Sequence, residues 1–296
     1  MKIFVAGGTG YIGRHVIERL VQDGHSIRAL VRKGSEAKLG AGHREPVIGD
    51  ISDPLSLDGA LDGCEAVVYL IGLRRELPSR GATFELAHVQ GVRRIYERAS
   101  RAGVRRWIHI SANGVKSDTP DGYIRTKYRA EEFIKAQDLD YTILRPSIVF
   151  GNEAGDTVDF VTTIKGLLTQ FPLVVPVMGN GRYKLQPVHI DDLAHAISMI
   201  VDRPSTFNRT YSLCGAQSMA YNDILDIVTA RYGLKKKAKL HIPAVLMRFA
   251  ARLFQKIESF PVTAEQVGML VAGNTCGDSD LFDELGIVPR AFREAI

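Results

Sequence analysis

The 296-residue chain is 45% hydrophobic and 24% charged, a balance that suits one large folded unit or two small ones and excludes a disordered or fibrous chain. No apolar run approaches the roughly 18 residues of a membrane-spanning helix, and Met1 leads at once into a strand with no basic leader, which predicts a cytoplasmic protein. The formal net charge of +5 is too modest to point to nucleic acid. Its excess lies in residues 1–150 and suits an anionic cofactor, or docking on an acidic partner or membrane surface.

Cys64, Cys214 and Cys276 are odd in number and far apart, so they read as reduced, buried thiols rather than a disulfide framework or a zinc site. The histidines show no ligand spacing either, and no metal is expected.

The stretch Lys2 to Gly13 organises the chain. Ile3 to Ala6 form an apolar run of strand length. Gly7, Gly10 and Gly13 follow at G-x-x-G-x-x-G spacing, and Val16, Ile17, Leu20 and Val21 then recur at helical intervals. Strand, glycine turn and helix are the order of a dinucleotide site. The glycines permit a sharp turn, close approach to a pyrophosphate and tight helix packing, while the helix N-terminus favours the anion. Gly7, Thr9, Gly10, Tyr11, Ile12 and Gly13 are therefore the candidate cofactor-binding residues of this turn.

Ser26 to Val31 reads as the second strand, and Arg32 and Lys33 stand where NAD-preferring sites place an acid. Two cations there favour NADP(H), with NAD(H) as second choice; the alternative is an exposed basic turn. Pro46 to Gly49 reads as a third strand, with Asp50 and Ile51 at its end and a helix rich in Leu55, Leu57 and Leu61 after it. Asp50 either accepts from an adenine amino group or is an ordinary turn residue. Ala66 to Ile71 is an apolar fourth strand of the kind a parallel sheet covered on both faces requires, and Gly72 leaves room for the cofactor.

Phe84 to Ala102 reads as a helix with Leu86, Val89, Val92, Ile95 and Ala99 on its inner face. Arg93, Arg94, Arg98, Arg101, Arg105 and Arg106 run along or just beyond it, as a solvated face or as a dock for an acidic partner. Trp107 to Ile110 is the fifth strand, ending in Ser111. Tyr123 and Lys127 then fall four apart, on one helix face. A fixed ammonium beside a phenol, together with a nicotinamide cation, is expected to favour the phenolate, giving a general acid or base for a carbonyl or alcohol.

Together these residues resemble the short-chain dehydrogenase/reductase superfamily in its extended or atypical, epimerase/dehydratase-like branch. TILRPSIVFG (Thr142 to Gly151) looks like the sixth strand, and PVHIDDLAHAI (Pro187 to Ile197) resembles the segment that returns to the cofactor domain. HISANG, the short loop to Tyr123 and VTAEQVGML look closest to the group containing the dehydrogenase-like accessory subunit of mitochondrial complex I. The resemblance implies a doubly wound parallel α/β sheet (Rossmann) over residues 1–151 and 187–215, with a smaller substrate lobe formed by 152–186 and 216–296. It implies catalysis by Tyr123, Lys127 and Ser111, with Lys127 also on the cofactor ribose. His88 aligns with the family's helix asparagine, as a relay or as a packed residue.

In the lobe, Arg182 and Lys184 either meet an anionic substrate or are solvated. Ala244 to Ile257 sets Leu246, Phe249, Leu253 and Ile257 against Arg248, Arg252 and Lys256, a basic amphipathic helix able to lie on an anionic membrane or to pack on its own core. The expected function is an NADP(H)-binding oxidoreductase of a small molecule, with a quinone-related compound as a candidate substrate, cytoplasmic or peripheral at the inner membrane. The alternatives are a non-catalytic NADPH-binding subunit or assembly factor of a respiratory complex, and a nucleotide-sugar epimerase or dehydratase.

Overall fold

The computed structural model describes residues 1–40, 42, 44–73, 75–151, 158–171, 173–254, 264–277 and 280–296. The chain divides into two compact units. The first comprises Met1–Pro146, Asp191–Ser212 and Asp280–Ile287, and the second Ser147–Ile190, Leu213–Ser279 and Val288–Ile296. The return segment is thus a few residues shorter than 187–215, and the helix Asp280–Leu285 belongs with the first unit rather than with the lobe.

The first unit is built on β1 (Lys2–Ala6), α1 (Tyr11–Gln22), β2 (Ser26–Val31), β3 (Arg44–Ile48), β4 (Ala66–Tyr69), α2 (Gly91–Arg101), β5 (Arg106–Ile110), α3 (Gly122–Lys135) and β6 (Asp140–Pro146). Strand order is β3-β2-β1-β4-β5-β6, with Arg209–Leu213 added outside β6. The registers from β3 to β6 are all parallel. This is the doubly wound fold the sequence implies, and its order reverses between β1 and β4, where a crevice opens beyond the strand ends. Phe4, Val67, Tyr69 and Trp107 are buried in one continuous core with Ile95 of α2 and Ile134 of α3. The Tyr69 ring stacks on Trp107 at 6.0 Å and on His109 at 5.6 Å.

Two local expectations change. The helix expected after Asp50 is a single 3₁₀ turn, Pro54–Leu57, because proline opens it and Gly59 at φ +70° follows too soon for a longer helix. The helix expected from Phe84 begins with a π-helical turn, Glu85–Gln90, that places His88 in the core before α2 proper.

The arginine run is largely committed within the unit. Arg94 donates to the Ile51 carbonyl, Arg98 to the Pro54 carbonyl and Asp58, and Arg105 pairs with Asp138. Arg106 is buried: it donates to the carbonyls of Asp140, Ile200 and Val201 and to Thr142, and lies over the Phe207 ring at 4.5 Å.

The second unit packs Phe150, Ile164, Leu168, Val177, Tyr221, Ile224 and Phe292 into its own core. Here one expectation is overturned: Cys214 and Cys276 form a disulfide, with Cα atoms 5.8 Å apart. Their 62-residue separation hid the pairing, because folding alone brings the two within bridging range. Cys64 is a buried thiol. In the helix Ala244–Phe254, the side chains of Val245, Leu246 and Phe249 are exposed; those of Arg252 and Leu253, and residues Lys256 and Ile257, lie outside the described residues. Arg182 and Lys184 are also exposed. Among the described residues no helix is long and apolar enough to cross a membrane.

Candidate cofactor and active site

The glycine turn sits at the carboxyl end of β1, on the crevice. Gly7 has φ +93°, and a Cβ there would lie 2.9 Å from the Ile71 nitrogen, so the turn presses against the chain leaving β4. A Cβ on Gly13 would come within 2.2 Å of the Gly7 carbonyl oxygen, which lets only glycine bring α1 this close. Gly10 caps α1 in an extended conformation with no side-chain capping bond. It is exposed, and its one near neighbour is the Gly7 oxygen, 3.3 Å from a hypothetical Cβ. A sharp glycine turn feeding a helix N-terminus not capped by a side chain is a cradle shaped for a phosphate. Thr9, Tyr11 and Ile12 are half-buried around it.

Arg32 follows β2 with its side chain 80% exposed, and its Nε lies 3.7 Å from an Asp50 carboxylate oxygen. Lys33 is exposed beside it. The other Asp50 oxygen accepts from the Ser52 nitrogen at 2.7 Å, an Asx turn. Ile51 is buried and its carbonyl serves Arg94. Beyond β4, Gly72 faces both Lys127 and His88: a Cβ there would lie 3.7 Å from Lys127 Nζ and 4.0 Å from His88 Nε2.

The Asp121 side chain caps α3 by accepting from the Ile124 nitrogen at 3.1 Å, which fixes the first turn and Tyr123 within it. One turn on, Lys127 is only 3% exposed and donates from Nζ to the Ile110 carbonyl at 2.8 Å. This bond ties the lysine to the end of β5. The Tyr123 ring packs edge-on against His88 at 5.3 Å and Phe84 at 5.5 Å.

Without a bound cofactor the electrostatics of the site favour the phenol. Burial, reinforced by the Asp121 carboxylate, pushes the Tyr123 phenol up to about 12, so without a bound cation the phenol holds its proton. Burial pushes the Lys127 ammonium down to about 8, with Glu131 opposing. His88 is pushed down to about 2 by burial, Lys127 and His109. Its Nε2 accepts weakly from the Leu73 nitrogen at 3.4 Å, which leaves Nδ1 to donate to Thr126 Oγ1 at 2.9 Å. His88 is therefore a packed, neutral imidazole, and Thr126 passes its own proton to the Gly122 and Tyr123 carbonyls.

Ser111, at the end of β5, is buried and donates from Oγ to Glu131 Oε1 at 2.5 Å. Arg145 grips the same carboxylate through two bonds, of 2.9 and 2.5 Å. Sequence reasoning named Ser111 and passed over Glu131. The available signal was the spacing, since 123, 127 and 131 continue a single helix face.

A glycine cradle at the switch point of a doubly wound sheet, with a tyrosine and a lysine on one helix face nearby, defines a dinucleotide-binding α/β protein. The family profile described as NAD(P)H-binding matches residues 7–168. The chain belongs to that family, within the extended, epimerase-like short-chain dehydrogenase/reductase group. It is 28% identical to subunit 9 of the NADH dehydrogenase [ubiquinone] 1 alpha subcomplex of Dictyostelium discoideum, over 81% of this chain and 65% of that protein. With the 4-hydroxy-2-methyl-3-oxo-4-farnesyl-3,4-dihydroquinoline-1-oxide ketoreductase of Stigmatella aurantiaca it shares 26% identity, over 87% and 80% of the two chains. In fold it matches UDP-glucose 4-epimerase of Thermotoga maritima with a TM-score of 0.74 at 18% identity, covering 100% of this chain and 96% of that one.

Proposed function

We propose that the protein is an NADP(H)-dependent reductase of a carbonyl compound, with Tyr123 as proton donor. The observation that carries this reading is the common face of α3, where Tyr123 lies one turn from a buried Lys127 that is anchored to the end of β5. A phenol that keeps its proton is the right form to protonate the oxygen of a carbonyl as it becomes an alkoxide. The turn from Gly7 to Gly13 would hold the pyrophosphate, Lys127 the ribose, and Arg32 and Lys33 the 2′-phosphate that separates NADP from NAD. The nicotinamide, when bound, supplies or accepts the hydride. The Stigmatella relative, named a ketoreductase of a 3-oxo-dihydroquinoline, supports a ring ketone as the substrate class.

The decisive experiment is a screen of quinones and aromatic ketones with NADPH, repeated with Tyr123→Phe. Loss of turnover by roughly 10²–10⁴-fold in the variant, with NADPH binding kept, supports the reading. Equal rates in the two proteins overturn it.

A second reading is favoured by the second unit. Val245, Leu246 and Phe249, exposed on the helix Ala244–Phe254, share their surroundings in sequence with Lys235, Lys236 and Arg248. An apolar strip next to cations suits an anionic membrane surface, and the Dictyostelium relative is named as a subunit of a respiratory complex. In this reading the protein docks peripherally and the bound nucleotide serves stability.

A further inference from the structure

Tyr123, Lys127 and Glu131 place a phenol, an ammonium and a carboxylate in line along α3. Glu131 is fully buried, and both its oxygens are engaged. Oε1 accepts from Ser111 Oγ and Arg145 Nε, and Oε2 accepts from the Arg145 terminal nitrogen, with Lys135 Nζ 3.7 Å away. The paired bonds from Arg145, on β6, fix the plane of the carboxylate. The Ser111 nitrogen donates to the Leu144 carbonyl at 2.8 Å, so the backbone of the serine is also held.

A hydroxyl has one proton to donate. That of Ser111 goes to Glu131, so what remains for any other group is the oxygen's lone-pair side. A substrate carbonyl oxygen needs donors, and in this arrangement Tyr123 is the side chain that brings one. The alcohol product, by contrast, has a proton that the Ser111 oxygen accepts.

We propose that Glu131 is a positioning residue of this site: it takes the Ser111 proton, which leaves that oxygen as an acceptor for the hydroxyl of the alcohol product, and it sets a fixed negative charge one helical turn from Lys127. The serine half rests on the reductase reading above, whereas the lysine half rests only on nucleotide binding. The charged and titratable groups coupled to Lys127 are Glu131 on its own helix, His88 from the π turn and His109 from β5, with Tyr123 one turn before it on the same face. Both imidazoles are held neutral by burial, and Arg145 and Lys135 face the carboxylate. Glu131 is the group that opposes the burial of the ammonium. Without it Lys127 loses its proton at lower pH and its grip on the cofactor weakens there.

The test is the pH dependence of NADPH affinity, followed by nicotinamide fluorescence from pH 6 to 9.5 on the full chain. Wild-type affinity is expected to fall through a midpoint near that of Lys127, about 8. Glu131→Gln should lower the midpoint by about one pH unit, a tenfold change in proton affinity. Glu131→Asp, which keeps the charge, should restore it. Because removing one partner can leave Arg145 buried and unpaired, the double variant Glu131→Met with Arg145→Met removes both charges and should show the same lowered midpoint. An unchanged midpoint in either carboxylate-free protein overturns the proposal, as does a wild-type affinity that does not vary with pH. No turnover is needed for this readout, so failure of the carbonyl screen would remove the reductase reading and leave the Lys127 result standing.

Discussion

Replacing Gly10 and Gly13 separately should split folding from cofactor binding. A Cβ on Gly13 would stand 2.2 Å from the Gly7 oxygen, 2.7 Å from the Gly8 Cα and 2.8 Å from its carbonyl carbon. All three are backbone atoms that no rotamer change can move aside. Gly13→Ala must therefore push α1 away from the turn, an overpacking cost of about 1–3 kcal/mol, and it should weaken both the fold and the site. At Gly10 the only neighbour of an added Cβ among the described residues is the Gly7 oxygen at 3.3 Å, and φ is −79°, a value alanine adopts freely. Losing glycine as the helix cap costs about 1 kcal/mol, and the stiffer unfolded chain returns about 0.4–1 kcal/mol. Gly10→Ala should thus fold nearly as well as wild type. Its methyl group, however, would occupy the approach to the cradle. Loss of two charge-assisted bonds from backbone N–H to phosphate, at about 1.5–3 kcal/mol each, would weaken NADPH by roughly two orders of magnitude or more. Urea unfolding and fluorescence titration on both variants give the four numbers needed. A Gly10→Ala protein that binds NADPH as tightly as wild type would show that no pyrophosphate rests on this turn.

Other outcomes follow from the same geometry. Arg32→Ala should weaken NADPH about tenfold and leave NADH within about twofold, since an exposed arginine serves only the 2′-phosphate; equal losses for both nucleotides would reject that role. His88 is neutral when folded and has a folded value near 2 against 6.5 unfolded. The unfolded chain therefore takes up the proton first, and its contribution to stability is whole above pH 6.5 and declines as pH falls toward 2. Between pH 6.5 and 5 the loss should be about 1.5 kcal/mol, and His88→Asn should flatten that slope in urea melts at a series of pH values. Cys214→Ser should cost about 2–4 kcal/mol by releasing a 62-residue loop; an identical denaturation midpoint for reduced wild type and oxidised wild type would argue that the bridge does not form. Phe249→Glu should abolish sedimentation with anionic vesicles if the exposed helix lies on a membrane, with no change in NADPH affinity.

The first turn and its flanking elements were legible in the sequence because their constraints are local. Gly7, Gly10 and Gly13 answer to atoms within a few residues or to the next strand, and an all-apolar run such as Ala66–Tyr69 admits few interpretations other than a buried strand. The pairing of Tyr123 with Lys127 was legible for the same reason, as helix periodicity alone places them on one face. Glu131 escaped because a glutamate in mid-helix ordinarily faces water, and what buries it is Arg145, on another strand. The protonated state of Tyr123 in the cofactor-free site was not legible, because spacing says nothing of burial or of the nearby Asp121 carboxylate. The cysteine pair depends wholly on tertiary approach across 62 residues. The expected helix after Asp50 failed on punctuation that was visible, Pro54 and Gly59, and was outvoted by its leucines.

Buried Arg106 has a further consequence for synthesis on the ribosome. Its guanidinium is satisfied by carbonyls at Asp140, Ile200 and Val201, two of which are translated more than ninety residues later. Until residues 200–207 emerge, Arg106 of the nascent sheet lacks two of its carbonyl partners and the Phe207 ring that lies over it. An expression boundary placed at the end of β6 would leave out Asp191–Ser212 and Asp280–Ile287, both part of the first unit, whereas one beyond Ile287 includes every segment of it.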